Sequence, residues 1–520
     1  MKNISAISLL ALITSLIVSC SPQEKETSGS ASMIDAEKKD RNVAGLGLPR
    51  GVITNIDDDE PGYILINPSN SSSTYLLNRQ GEVLHEWKGE YHSWLTYLRD
   101  NGHVIRAVVD PDAPRFHAGG MAGRIEELDW LGETIWEFEY ATDEYQTHHD
   151  LEVLPNGNVL AIAWEHMSYE EAIQEGRNPH YLTEDGLWMD KVIEVKPIKP
   201  RGGKIVWEWR FSDHLIQNHD PALSNYGEPA AHPELLDINA SAHEPELLHP
   251  DTLRAQKKKG LAHRNATVGS ESSDIYHSNA INYNEELDQI AISVPHINEI
   301  FIIDHSTTTE EARGHTGGRW GKGGDFLYRW GNPLNYGRGD STDQKLFYQH
   351  DVRWIEEGKP GEGHLTLYNN QVPNGPDSMK YSAVFEMALS VDENGHYTMS
   401  EDSTFGPEGP IWSYVAADTV SLFSPFTSGA HRMENGNTFI LCGAPGRSLE
   451  VTPDGEIVWD FWNPYQGDIR QTNGDRINDG PFLYWQFRST FIPADHPALQ
   501  GKELKPLDPQ PKVLKEKQGA

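Results

Sequence analysis

Four short segments of this chain place a histidine at or just before the start of an apolar, alternating run. They are His148-His149-Asp150, His277-Ser278-Asn279, Gln349-His350-Asp351 and Ala430-His431-Arg432. Neutral imidazoles bind metal ions, imidazoles near their own pKa move protons at neutral pH, and a bare ring nitrogen is a nucleophile. Three converging histidines, His149, His277 and His350, have no short-range ligand spacing that supports a metal, so none is expected. Asn279 and Arg432 add donors able to hold an anionic substrate. Arg447 follows Gly443-Ala-Pro-Gly446, a bend where backbone N–H groups and a guanidinium suit an anion, although a neighbouring carboxylate would suit the guanidinium equally. The plainer reading of each His-Asp step is a side chain that fixes a turn.

Residues so far apart reach one place only if a repeat brings them there, and a repeat is present. Gly132-Glu-Thr-Ile-Trp-Glu-Phe138, Gly203-Lys-Ile-Val-Trp-Glu-Trp209 and Gly455-Glu-Ile-Val-Trp-Asp-Phe461 are one phrase, with looser copies at 81–87 and 324–330. A second phrase alternates with it, at Asn101-Gly102, Asn156-Gly157, Asn394-Gly395 and Asn435-Gly436. Asn-Gly supplies the positive φ of a tight hairpin turn, and the β-branched and aromatic residues beyond it suit a pleated strand. Strand-only repeats of roughly 50 residues indicate an all-β propeller, here of about six blades. Its inner strands line a central channel, so matching positions of several repeats meet at one mouth. His277 and His350 are expected to share a pocket there, with Arg447 at its edge. The repeated Trp residues are expected to pack between blades.

The 520 residues carry a formal charge of −35, which repels nucleic acid and anionic membrane surfaces. Residues 1–20 read as a lipoprotein signal peptide. An apolar run from Ile7 to Val18, too short to span a bilayer, ends at Ser19-Cys20, so Cys20 is the expected lipidated N-terminus outside the cytoplasm, in the periplasm or at the outer membrane. Residues 21–48 are polar and unpatterned, a flexible tether. The propeller spans 49–499, with a short helix near Tyr169–Glu175 and an insertion at about 212–270, too long for a blade loop. Residues 500–520 read as a surface tail. Cys442 is the one other cysteine, so the mature chain has no internal disulfide.

Several of these phrases together resemble the bacterial arylsulfate sulfotransferases. The resemblance rests on His148-His-Asp-Leu-Glu-Val-Leu-Pro-Asn-Gly-Asn-Val-Leu160, His277 through Ile290 with Asn298-Glu-Ile-Phe-Ile-Ile-Asp304, Gln349-His-Asp351, and Ser424 through Trp459. It covers about residues 75–495 and follows the family's order of phrases. It implies a six-bladed propeller that moves a sulfuryl group from a phenolic sulfate ester to a phenol, without a nucleotide sulfate donor or another cofactor. It also implies a transiently sulfated histidine, with further histidines and an arginine binding sulfuryl oxygens and handling the phenol proton. His277 and His350 match the family's segments and take acid/base and oxygen-binding roles. The family's nucleophile falls where this chain has Arg447, which leaves His431 as the nearest histidine for that role. His149, Asn279, Arg432 and Arg447 take substrate-binding roles. The family arginine has no match, since Tyr368-Asn-Asn370 continues Gln371-Val372-Pro373. The N-terminal β-sandwich is absent or reduced to the strands before residue 75. A lyase or a non-catalytic binding propeller for sulfated polysaccharide is the alternative.

Overall fold

The computed structural model describes residues 45, 47–56, 61–259, 266–374, 379–400, 404–467 and 482–513. The signal segment with Cys20, and the tether up to residue 44, lie outside them. Strands dominate because the turn phrases work as the sequence suggests. Gly157 and Gly436 adopt φ of 83° and 89°, angles that a side chain disfavours, and each opens into a buried strand.

The first strands are β1 (Gly51–Asn55), β2 (Gly62–Pro68), β3 (Ser71–Leu77), β4 (Val83–Leu98), β5 (Val104–Val109), β6 (Gly123–Leu128) and β7 (Thr134–Glu139). Then come β8 (Tyr145–Val153), β9 (Val159–Met167), β10 (Leu187–Pro197) and β11 (Gly203–Arg210), one four-stranded antiparallel meander. β12 (Leu215–Ile216) and β13 (Leu236–Asp237) form a small parallel pair within the insertion. A second meander is β14 (Ala280–Asn284), β15 (Gln289–Val294), β16 (Glu299–Asp304) and β17 (Tyr328–Trp330). A third is β18 (His350–Trp354), β19 (Leu365–Val372), β20 (Tyr381–Met387) and β21 (Trp412–Tyr414). A fourth, β22 (Gly429–Arg432), β23 (Thr438–Cys442), β24 (Arg447–Val451) and β25 (Ile457–Trp462), gains β1 at its outer edge. β26 (Gln486–Pro493) closes the order.

The remaining sheet runs β26-β2-β3-β4-β5-β6-β7. β4 changes partner along its length: 83–88 pairs with β3, 93–98 pairs with β5, and Ser93 opposes both Ser71 and Val108. One half is thus the outer strand of a meander and the other half the inner strand of the next. The inner elements β4, β8, β14, β18, the β22–β23 hairpin and β26 succeed one another around a ring. β26 pairs with β2, so the end of the strand order closes onto its start. The architecture is an all-β propeller.

The repeated Trp residues are core, as their fixed place in each repeat suggests. On the outer strands of five successive meanders a Trp, in one case the half-buried Trp412 outside the phrase, hands its indole N–H to the next. Trp136 donates to the Gly202 carbonyl, Trp209 to Gly324, Trp330 to Pro407, Trp412 to Pro453 and Trp459 to Arg79. A buried Trp needs such a partner for its one polar atom. The same bonds set how neighbouring sheets sit against each other, and hence where their inner ends converge.

The short helix spans Tyr169–Gln174, with Ser168 and Glu171 forming a capping box. The insertion carries a helix at Pro250–Lys259. The start of the surface tail is fastened along the first sheet, where Gln510 exchanges hydrogen bonds with the Val83 backbone. Among the described residues no helix is long and apolar enough to cross a membrane.

Candidate functional site

The inner strands enter the ring through left-handed residues. His149 has φ of 52°, His277 59°, Tyr348 59° and Thr427 57°. A non-glycine residue in this region costs about 1–3 kcal/mol and persists where surrounding structure imposes it. His149 lies in a bulge of β8, where register with β9 shifts between Thr147 and Leu151. His277 precedes β14, and His350 begins β18. The turns aim these side chains at one another.

His149 and His277 meet edge to face, with ring centroids 4.4 Å apart. His277 stacks on His296 at 4.5 Å. Nδ1 of His277 donates to Asp274 Oδ2 over 2.5 Å, since a carboxylate only accepts. That fixes the tautomer and leaves Nε2 without a hydrogen-bond partner among the described residues. Burial alone would lower the pKa of His277, but the charge and hydrogen bond of Asp274 raise it above 6.5. Burial would equally raise Asp274, yet His277 holds it below the ordinary carboxylate value.

His149 has the opposite electrostatics. Burial first, then His277, His148, His350 and Arg488, push its pKa well down, so it is neutral. Its Nδ1 lies 2.8 Å from Nδ1 of His148, whose Nε2 is 3.3 Å from Asp190 Oδ1. With the proton of His148 toward Asp190, His149 donates through Nδ1 and keeps its lone pair on Nε2. The ring of His148 is held flat on Trp164, 4.0 Å away. Gly119 and Gly120 pass close to both rings. A Cβ on Gly120 would collide with the His149 imidazole, and one on Gly119 would touch His277 Nε2 at 3.8 Å.

His350 belongs to the same neighbourhood, since its charge lowers His149 and that of His277 lowers it. Both of its nitrogens are engaged. Nδ1–H faces Asn370 Oδ1 at 2.9 Å, and Nε2 accepts from the Thr427 N–H at 3.1 Å. Burial, then Arg488, brings its pKa to about 3. His296 is likewise neutral, lowered to about 4 by burial and by His277. It donates to the Asp274 carbonyl at 2.7 Å and lies 3.4 Å from the Tyr348 hydroxyl. Asp274, His277 and His296 offer ligand atoms within 4.8 Å of one another, and Nδ1 of each ring is taken by Asp274, through its carboxylate for His277 and its carbonyl for His296.

The other expected site residues lie elsewhere. Nε2 of His431 accepts from the Phe491 N–H at 3.2 Å, and its electrostatic neighbours are Lys359, Arg353, Asp351 and Glu356, not the mouth histidines. Burial first lowers its pKa to about 3. It has no lone pair to give as a nucleophile. Arg447 pairs in bidentate fashion with Asp460 across β24 and β25, at 3.0 and 2.7 Å, and donates to the Ser421 carbonyl. It is a blade ion pair and does not edge the mouth. Arg432 is held by Glu386 and the Gly436 carbonyl. Asn279 is buried at the mouth, where Nδ2 donates to the Gln349 carbonyl at 2.8 Å, a bond between two inner strands.

The missed guanidinium is Arg488, on the closing strand. It lies on the axis beneath the imidazoles, 2.9 Å from Asp351 and 3.8 Å from Asp150, and donates to the Ser428 and Asn279 carbonyls. Arg353 binds Asp351 at 2.7 Å and the Tyr97 hydroxyl, which donates to Asp150 at 2.9 Å. Asp150 accepts from the Ile281 N–H and Asp351 from the Ala430 N–H. Asp274 had one sequence signal, its place three residues before His277. Arg488 had none, because it lies outside both repeated phrases.

The family model described as Arylsulfotransferase (ASST) matches residues 56–460. The chain belongs to that family. No curated protein matches it. Among solved structures, a protein of unknown function from Bacteroides caccae is 10% identical, with 78% of this chain and 94% of that chain covered at a TM-score of 0.39. A catalytically inactive virginiamycin B lyase from Staphylococcus aureus with quinupristin is 11% identical, with coverage of 78% and 85% and a TM-score of 0.31. BamB from Moraxella catarrhalis is 11% identical, with coverage of 79% and 76% and a TM-score of 0.27. Likenesses this distant carry no argument about what this chain does.

Proposed function

We propose that this protein transfers a sulfuryl group from a phenolic sulfate ester to a phenolic acceptor, without a nucleotide sulfate donor, at the mouth of a six-bladed ring in which β4 serves two blades. Family membership supports aryl sulfotransfer in general. The observation that carries the assignment of residues is the Asp274–His277 pair with its open Nε2, set edge to face against a neutral His149.

In this reading Nε2 of His149 forms the N–S bond as the ester S–O bond breaks, and the departing phenolate takes the proton from Nε2 of His277. In the second half the acceptor phenol returns a proton to His277, and its oxygen takes the sulfuryl group from His149. The raised pKa of His277 keeps an acid available near neutrality, and the depressed pKa of His149 keeps a lone pair available. Charge gathering on the sulfuryl oxygens meets the His277 imidazolium and the field of Arg488 below. Both are in place before the reaction, so neither must reorganise.

The test incubates the protein with a chromogenic phenyl sulfate and excess phenol. Wild type should release phenolate in a phenol-dependent, ping-pong manner. Mass spectrometry after donor alone should find a sulfo-peptide containing residue 149, absent in His149→Ala. No phenol-dependent release rejects sulfuryl transfer. Release with sequential kinetics and no sulfo-peptide rejects His149 as nucleophile. We also propose anchoring outside the cytoplasm through lipid on Cys20; Cys20→Ala should then leave membrane fractions, and retention there would overturn it.

A further inference from the structure

A second histidine cluster lies outside the mouth, where β11 runs into the turn Phe211–His214 and meets the glycine-rich loop 314–325. Oδ1 of Asp325 is 2.9 Å from Nδ1 of His214 and 2.8 Å from Nδ1 of His315. Nε2 of His214 is 2.8 Å from the Ala312 carbonyl oxygen. A carbonyl only accepts, so Nε2 bears the ring proton of His214. In the neutral ring Nδ1 is then a bare lone pair aimed at a carboxylate oxygen, which also only accepts. Two acceptors at that distance repel unless positive charge lies between them.

We propose that His214, His315 and Asp325 bind one divalent cation of the zinc class. Two imidazole nitrogens and one carboxylate oxygen make a borderline donor set that favours zinc over the hard cations magnesium and calcium. Separations of 2.8–2.9 Å lie about half an ångström inside the roughly 3.3–3.6 Å between tetrahedral ligands of zinc, an opening that a small rotation of the exposed His315 supplies. The Ala312 carbonyl orients His214 as a backbone acceptor commonly orients a metal-bound imidazole. Trp209 lies parallel to that ring, with centroids 5.6 Å apart. The neck of the loop is already closed by the Gly324 N–H donating to the Gly314 carbonyl at 2.9 Å, so the His315 and Asp325 ends are preset. His315 also lines a cavity of about 360 Å³ with Asp213 and His232, and open coordination positions would face it. The cation staples this loop to the end of β11 and does not depend on the sulfuryl chemistry at the mouth.

The experiment strips the full chain with a chelator and titrates it with zinc chloride by calorimetry. Wild type should bind one equivalent that magnesium does not displace. His315→Ala, at an exposed position the fold should tolerate, should lose that equivalent, and Asp325→Asn should lose it too. His249→Ala, an exposed histidine elsewhere, should keep it. Cobalt should give a visible ligand-field band in wild type that His315→Ala lacks. A stoichiometry unchanged in His315→Ala overturns the site. So does a wild type that binds no zinc while nitrogen NMR finds His214 doubly protonated, since the imidazolium would then supply the missing charge.

Discussion

The imidazoles at the mouth and the ion network on the axis beneath them hang from the same inner strands, yet they use their polar atoms in opposite ways. Below, Arg488, Arg353, Asp150, Asp351 and Tyr97 bind one another and the strand backbones between them. Above, Asp274 and His148 engage one nitrogen of His277 and one of His149, and the second nitrogen of each ring has no hydrogen-bond partner among the described residues. Buried charge that is fully paired holds strands in register. A ring nitrogen without a partner, next to a supporting carboxylate, is a reagent. The same residue types thus divide into scaffold and chemistry according to whether their last lone pair or proton is claimed.

This contrast predicts its own failures. His277→Ala should give the largest loss, roughly 10²–10⁴-fold in kcat, well beyond what the fall in stability from leaving Asp274 buried without its imidazolium accounts for. Equal loss of activity and stability would place His277 with the scaffold. Arg488→Met should do the reverse first, lowering stability by about 3–5 kcal/mol because Asp150 and the Ser428 and Asn279 carbonyls lose a buried cation and Asp351 keeps only Arg353. Chemical denaturation measures it, and a midpoint unchanged from wild type would deny the network its role.

Asp274→Asn probes the boundary between the two. The pKa of His277 is raised in the folded state, so its imidazolium and the stability it brings are complete below 6.5 and lost as pH rises through the raised value. The basic limb of the kcat–pH profile should therefore move to lower pH in Asp274→Asn, with about a tenfold loss above neutrality. A limb that stays in place assigns it to another group. His431→Ala should have the smallest effect, activity within a few-fold of wild type, because its Nε2 is already held by Phe491. Abolished transfer with the fold intact would restore His431 as nucleophile.

The propeller was legible because its signals are local. Asn-Gly turns and the Gly-x-x-x-Trp phrase each act over a few residues, and Trp136, Trp207 and Trp459 are all buried where that phrase puts them. The segments at the mouth were legible for the same reason, as their histidines stand at strand starts. What each histidine can do was not legible. His431 is silenced by an N–H 60 residues away, His350 by one 77 residues away, and Arg447 is claimed by Asp460 from the adjacent strand. The order of phrases cannot report which nitrogen remains open. Arg488 escaped because the closing strand carries neither repeated phrase.

That closing strand has a consequence for the order in which the molecule becomes competent. β26 completes the first sheet by pairing with β2, and it alone delivers Arg488 to the axis. A nascent chain released only as far as residue 485 would hold every mouth histidine and the β1–β25 pairing, and still lack both the β26–β2 seam and the axial guanidinium. The proposed site is therefore complete only once β26 has docked, and a protease that trims the chain before Gln486 would remove the β26–β2 seam and Arg488 in one cut.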